Sequence, residues 1–222
     1  MSQVSAIVTA AGKNSRMKKD QLKNKLQVKN KLLLPFNDKT VIENTITTVL
    51  SSNVDDCIII LGHFAEEIEK KIANIDDERI QIVKNTPIEV GLSKSLLNGI
   101  NNSNAEIVLC VAGDQPTVSK HTYDNILDCI LNSKFPEKTI SILRRKEIGL
   151  LETAEGLGMP FAANRQGLAK YLENENDNLN PILRKMFDNG FIFFGIKEEN
   201  EYELININRQ KDYNMILNNY KY

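Results

Sequence analysis

This sequence lacks an excess of charge of either sign: 28 Lys and Arg stand against 29 Asp and Glu, a formal net charge of −1. Bulk electrostatics therefore makes no case for a nucleic-acid or membrane partner, because both recognise a concentrated cationic surface. Long apolar runs are also missing. None approaches the ~18 residues of a membrane-spanning helix, and the N-terminus lacks the basic-then-apolar layout of a secretion signal, so the expected location is cytoplasmic. Cysteine is scarce: Cys57, Cys110 and Cys129 are odd in number, far apart and set in apolar stretches, which predicts buried free thiols rather than disulfides or a metal site. His63 and His121 do not have the spacing of metal ligands. No internal repeat or low-complexity linker divides the chain, and 222 residues suffice for one well-buried domain, expected to span 1–222.

What is present is an alternation of two periodicities. Short apolar runs at Val4–Val8, Cys57–Leu61, Ile80–Val83, Glu106–Val111, Thr139–Leu143 and Phe191–Ile196 read as strands buried on both faces. Between them, apolar residues recur at spacings of three and four. Thr40 and Glu43 form a capping box that opens one helix through Leu50, and others are expected over Phe64–Ile72, after Gly91, over Tyr123–Leu131, around Ile182–Phe187 and over Gln210–Leu217. Asn98-Gly99 reads as the pair that ends the helix begun near Gly91. Strands alternating with helices at this spacing predict an α/β fold: a single-domain open, mostly parallel sheet flanked by helices, with right-handed crossovers.

Two strand ends carry chemistry. After the first strand come Ala10, Ala11 and Gly12, small enough for a ligand to approach the backbone, followed by Lys13, Arg16, Lys18, Lys19 and, further on, Lys31. Backbone N–H groups in such a loop can cradle an anion, and the cations suit a triphosphate. Neither G-x-x-x-x-G-K-[ST] nor G-x-G-x-x-G occurs at this loop, which excludes a P-loop and a dinucleotide fingerprint. The fourth strand ends in Ala112-Gly113-Asp114-Gln115-Pro116. In open α/β sheets ligands bind beyond the carboxyl ends of strands, so Asp114 faces the same crevice as the first loop; an aspartate there also serves commonly as a helix cap. Ser93 and Ser95 at a helix start can cap that helix or bond a ligand. Arg144, Arg145 and Lys146 end the fifth strand, usually the place of a solvated charge cluster.

The combination A-A-G-x-x-S-R-M followed by K-L-L-L-P, together with Gly113-Asp114-Gln115-Pro116, resembles the nucleotidyltransferases that make molybdenum-cofactor dinucleotides. The resemblance extends to Gly91, Ser95, Leu96 and Gly99, to Gly156–Pro160, and to a closing segment at Asn206-Ile207-Asn208 through Asp212-Tyr213. It implies a Rossmann-like nucleotidyltransferase fold in which CTP lies across the strand ends. Ala10, Ala11 and Gly12 would hold its phosphates, and Gly91 and Ser95 its nucleoside. Arg16, Lys31 and Asp114 would be catalytic. Asp114 and Asn208 would ligate Mg2+, with Asn206 as the fallback. A phosphorylated acceptor such as molybdopterin, and a client molybdoenzyme for the product, are the implied partners.

The departures are specific. Lys18 replaces a glycine, Asn14 a serine and Asn206 and Asn208 two aspartates. The stretch before the motif lysine is about ten residues longer than is usual in the family, an unusual insertion for a βα loop, so Lys23 or Lys25 competes with Lys31 for the role. Thr9-Ala10-Ala11-Gly12 and Gly113-Asp114-Gln115-Pro116 resemble the cytidylyl-transferring rather than the guanylyl-transferring relatives. Two alternatives follow: a sugar, polyol or phosphocholine nucleotidyltransferase on the same scaffold, or a non-catalytic cofactor-binding maturation protein.

Overall fold

The computed structural model describes residues 3–220. Its secondary structure runs β1 (Val4–Ala10), α1 (Ser15–Lys23), β2 (Pro35–Phe36), β3 (Lys39–Thr40), α2 (Val41–Ser51), β4 (Asp56–Leu61), α3 (Ala65–Ile72), β5 (Ile80–Lys84), α4 (Leu92–Asn101), β6 (Ile107–Ala112), α5 (Lys120–Leu131), β7 (Thr139–Leu143), β8 (Gly149–Leu150), β9 (Phe161–Asn164), α6 (Arg165–Leu172), α7 (Leu179–Asp188), β10 (Ile192–Ile196) and α8 (Gln210–Asn219). Eight strands form one sheet in the order β5-β4-β1-β6-β9-β7-β10-β8, with β2 and β3 as a separate hairpin. β1 pairs in parallel with β4 and β6; β9 is antiparallel to both its neighbours, and β8 is antiparallel to β10. The sheet is therefore mostly parallel, as the alternation predicts.

Period-two alternation along β1 builds two cores. Val4, Ala6, Val8 and Ala10 face the layer of α2, α3, α5 and α8, whereas Ile7 faces α4, α6 and α7. Such two-sided burial explains why the strands read as apolar runs rather than as alternating patterns. The capping box forms as expected: Thr40 N donates to Glu43 Oε2 at 2.8 Å, and Glu43 N to Thr40 Oγ1 at 3.4 Å.

Two expectations need correction. Asn98-Gly99 does not end a helix, for α4 continues to Asn101. Gly99 is there because the helix crosses the sheet closely: a Cβ would lie 2.5 Å from Ile7 Cγ2 and 2.8 Å from Ile60 Cδ1. The basic stretch after Gly12 is, for nine residues, the helix α1, which turns only Met17 and Gln21 inward and so shows no apolar periodicity. Cys57 and Cys110 are buried free thiols, Cys57 pushed up to about 12 by burial, and Cys129 is a partly buried free thiol. Among the described residues no helix is long and apolar enough to cross a membrane.

Candidate active site

β1, β4 and β6 run parallel, so their carboxyl ends share one edge of the sheet. A cavity of about 340 Å³ opens there, lined by Thr9–Gly12 and Arg16 from the first loop, by Asn30–Leu32, and by Ala112 and Asp114 beyond β6. Val90, Leu92, Ser95, Met159, Asn206 and Asn208 complete the lining. Asn14 shapes the loop. It takes the left-handed conformation (φ 58°) that asparagine tolerates better than most residues. Its buried side chain donates from Nδ2 to Lys29 O (2.9 Å) and accepts from Lys31 N (3.2 Å), tying the end of the long insertion to the glycine loop.

The polar centre is assembled from three distant segments. Lys31 Nζ forms an ion pair with Asp114 Oδ2 and donates to Asn208 Oδ1 at 3.3 Å; Asn206 Nδ2 donates to Asp114 Oδ1 at 3.1 Å. Ile207 N donates to Asp114 O (2.9 Å), and Asp212 Oδ2 accepts from Asn208 N and Arg209 N at 3.0 and 2.8 Å. The first of these fixes the closing segment against the β6 loop, and the other two brace that segment internally. The cavity thus takes Lys31, while Lys23 and Lys25 lie on the exposed outer run of the insertion.

The other candidates divide. Ser95 lines the cavity with its Oγ accepting from Asn85 Nδ2 at 2.9 Å, and Asn98 Nδ2 in turn donates to Asn85 Oδ1 at 2.8 Å. Gly91 stands outside the cavity lining. A Cβ there would meet Asn176 O at 2.5 Å, so the glycine permits close approach of the 173–178 loop, whose Asn176 Oδ1 accepts from Gly91 N at 2.6 Å. Ser93 serves the same junction by accepting from Asp177 N at 2.9 Å. Gln115 is fully buried and touches no part of the cavity. Arg144 pairs with Glu198, and Arg145 donates to Leu204 O and Met159 O at 3.1 and 3.2 Å; burial draws the Arg145 guanidinium below its ordinary pKa. Both arginines are committed to the scaffold. Sequence reasoning assigned no role to Asn30 or Asn85; Asn14 entered it only as a departure from the family motif, and Met159 only within the Gly156–Pro160 stretch.

Asp114 is the one carboxylate on the cavity lining, and no cluster of three or more His, Cys, Asp and Glu suited to a metal exists among the described residues. One carboxylate with amide oxygens nearby is still a donor set that fits Mg2+, which keeps several waters and takes phosphate oxygens alongside one or two carboxylates. Lys31 already holds Asp114 Oδ2. A cation held by Asp114 would have to share that carboxylate with the Lys31 ammonium.

A glycine loop after the central strand of a mostly parallel sheet, flanked by cations and faced by a strand-end aspartate, defines a nucleotide-handling α/β enzyme. The chain belongs to the MobA-like NTP transferase domain family, whose model matches residues 6–188, and it is a nucleotidyltransferase. Over 96% of its length it is similar to a nucleotidyl transferase from Methanothermobacter thermautotroptrophicus, covering 95% of that chain at 42% identity with a TM-score of 0.89. A 4-diphosphocytidyl-2C-methyl-D-erythritol synthase from Anaerococcus prevotii shares the fold at 18% identity and a TM-score of 0.69, over 96% of this chain and 94% of that one. The bifunctional protein GlmU of Francisella tularensis is 27% identical over 125 residues, which are 56% of this chain; the match spans about a quarter (25%) of GlmU's length.

Proposed function

We propose that this nucleotidyltransferase moves the cytidylyl group of CTP onto a phosphomonoester acceptor, with molybdopterin the first acceptor to test, and releases pyrophosphate. The observation that supports it most is the meeting of Lys31, Asp114, Asn206 and Asn208 beside the β1 loop and Arg16, a centre that offers ammonium, carboxylate and amide oxygens where a triphosphate would lie. An acceptor phosphate oxygen attacks the α-phosphorus, the bond from that phosphorus to the bridging oxygen breaks, and pyrophosphate leaves. Arg16 and Lys31 face the charge that moves onto the leaving group. A magnesium ion on Asp114 would neutralise phosphate charge there. No general base is required, because a phosphomonoester with a second pKa of about 6 is already mostly dianionic at neutral pH.

The choice of cytidine rests on the resemblance of Thr9–Gly12 and Gly113–Pro116 to cytidylyl-transferring relatives. Ala11 restricts the loop more than glycine would, and Ala11 O is within 3.4 Å of both His63 N and His63 Nδ1, so the loop has little freedom to widen for a purine. Gln115, being buried, acts through the β6 turn. Pyrophosphate release at matched subsaturating CTP and GTP is expected to favour CTP by at least about tenfold, a factor that one steric difference supplies. A preference for GTP would sink the cytidylyl assignment. The same assay with molybdopterin, sugar phosphates, polyol phosphates and phosphocholine identifies the acceptor.

A further inference from the structure

Between residues 13 and 31 stand eight cations and one acid, although the whole chain is nearly neutral. Those cations fall into two sets. Lys13, Arg16 and Lys31 line the site. Lys18, Lys19, Lys23, Lys25 and Lys29 are exposed, line no part of it, and have no carboxylate partner among the described residues. The single acid, Asp20, is held by Arg209 at 3.0 Å and so does not neutralise them. Substrate charge accounts for the first set and leaves the second unexplained.

Among these spare lysines three aliphatic side chains stand in water: Leu22 is 58%, Leu26 46% and Val28 41% exposed. Leu22 lies in the last turn of α1, and Leu26 and Val28 on the loop that follows it, which is a built one. Buried Gln21 accepts from Lys29 N through Oε1 (3.0 Å) and from Leu26 N through its carbonyl (2.9 Å), while buried Asn14 donates to Lys29 O. The loop is thus pinned at both roots, with its apolar side chains and lysines outward.

We infer that this loop docks the protein on an anionic lipid surface. Aliphatic tips enter the headgroup boundary while lysine stems lie along it and their ammonium groups meet lipid phosphates. Composition separates this from a protein-binding patch, since protein interfaces are enriched in aromatics and Arg and depleted in Lys, whereas residues 13–31 hold no aromatic and a single Arg. Asn30 and Lys31 continue directly from the loop into the cavity lining, so docking sets the active site beside the lipid headgroups.

Co-sedimentation of the full chain with phosphatidylcholine vesicles, with and without phosphatidylglycerol, tests this. Binding is expected only to the anionic vesicles. The triple variant Lys23→Glu/Lys25→Glu/Lys29→Glu should weaken it at least about tenfold, and Leu22→Ser/Leu26→Ser severalfold, both with unchanged circular dichroism, because every changed side chain is exposed. Absence of binding to anionic vesicles, or binding indifferent to the lysine changes, overturns the inference. So does tighter binding to polyuridylate that the serine variant leaves intact, which marks a nucleic-acid surface. Self-association abolished by the serine variant overturns it as well, by assigning the patch to a second copy.

Discussion

Asp114 holds Lys31 and Asn206 in place through its two oxygens; an asparagine there keeps one acceptor for one of these donors, and the other donor can turn to water at the open cavity. Asp114→Asn should therefore fold with little change in thermal midpoint, yet it removes the only negative charge on the cavity lining. Turnover is expected to fall by about a hundredfold or more, the scale on which one preorganised electrostatic group acts, with a raised magnesium requirement. Magnesium titrations of the initial rate alongside melting curves check it, and full turnover would remove Asp114 from the chemistry. Residue-level reading went furthest where a residue type is chemically singular, as with the strand-end aspartate. At Gly91 it gave no sign of the packing reason for the glycine, a Cβ there meeting the backbone of Asn176.

α4 shows how an element can be read correctly in kind and wrongly in extent. Its start after Gly91 follows the pattern, but Gly99 looks like a stop signal because sequence offers no view of what a helix face crosses. Gly99→Ala sets two effects against each other: about 1 kcal/mol of helix propensity gained, and an overpacking cost of about 1–3 kcal/mol for a methyl forced against Ile7 and Ile60. Both neighbours are β-branched residues in central strands with little room to yield, so a net loss of about 1–2 kcal/mol is expected. Urea unfolding midpoints measure it; a stabilised variant would mean that the sheet gives way. β8 and β9 were not legible for a related reason. Each is only two or four residues long, too short for a period to emerge, and β9 owes its place to pairing with β6 and β7, which are remote in sequence.

At the scale of the whole molecule, stability should carry the signature of Glu203. This fully buried carboxyl accepts from Thr122 Oγ1 at 2.6 Å and from Ser119 N at 3.2 Å, joining the segment that precedes Asn206 to the start of α5. Burial raises its pKa above the ordinary 4.5, outweighing those hydrogen bonds. The folded state thus binds the proton more tightly than the unfolded chain does. Its contribution is most favourable below 4.5 and is lost as pH rises from there through the raised value. Glu203→Gln removes the ionisation and keeps a hydrogen-bonding group, so the variant should gain on the parent in thermal midpoint as pH rises from acid to neutral. Parallel melting-curve slopes for the two proteins across that range would show that Glu203 does not titrate with folding.

By itself the sequence determined the alternation of strands and helices, the capping box at Thr40, the anion-suited loop at Ala10–Gly12 and the aspartate at a strand end, because each is written in neighbouring residues. Only the tertiary structure decided which lysine lies against Asp114 on the cavity lining. Lys31 meets Asp114 across 83 positions and Asn208 across 177, and local sequence contains no term for contacts at such separations. They arise because parallel strands bring the segments that follow them to one edge of the sheet, whatever their distance along the chain. The same holds for Leu22, Leu26 and Val28: their apolarity is plain in sequence, but that folding leaves them in water beside five lysines is a fact of the assembled molecule.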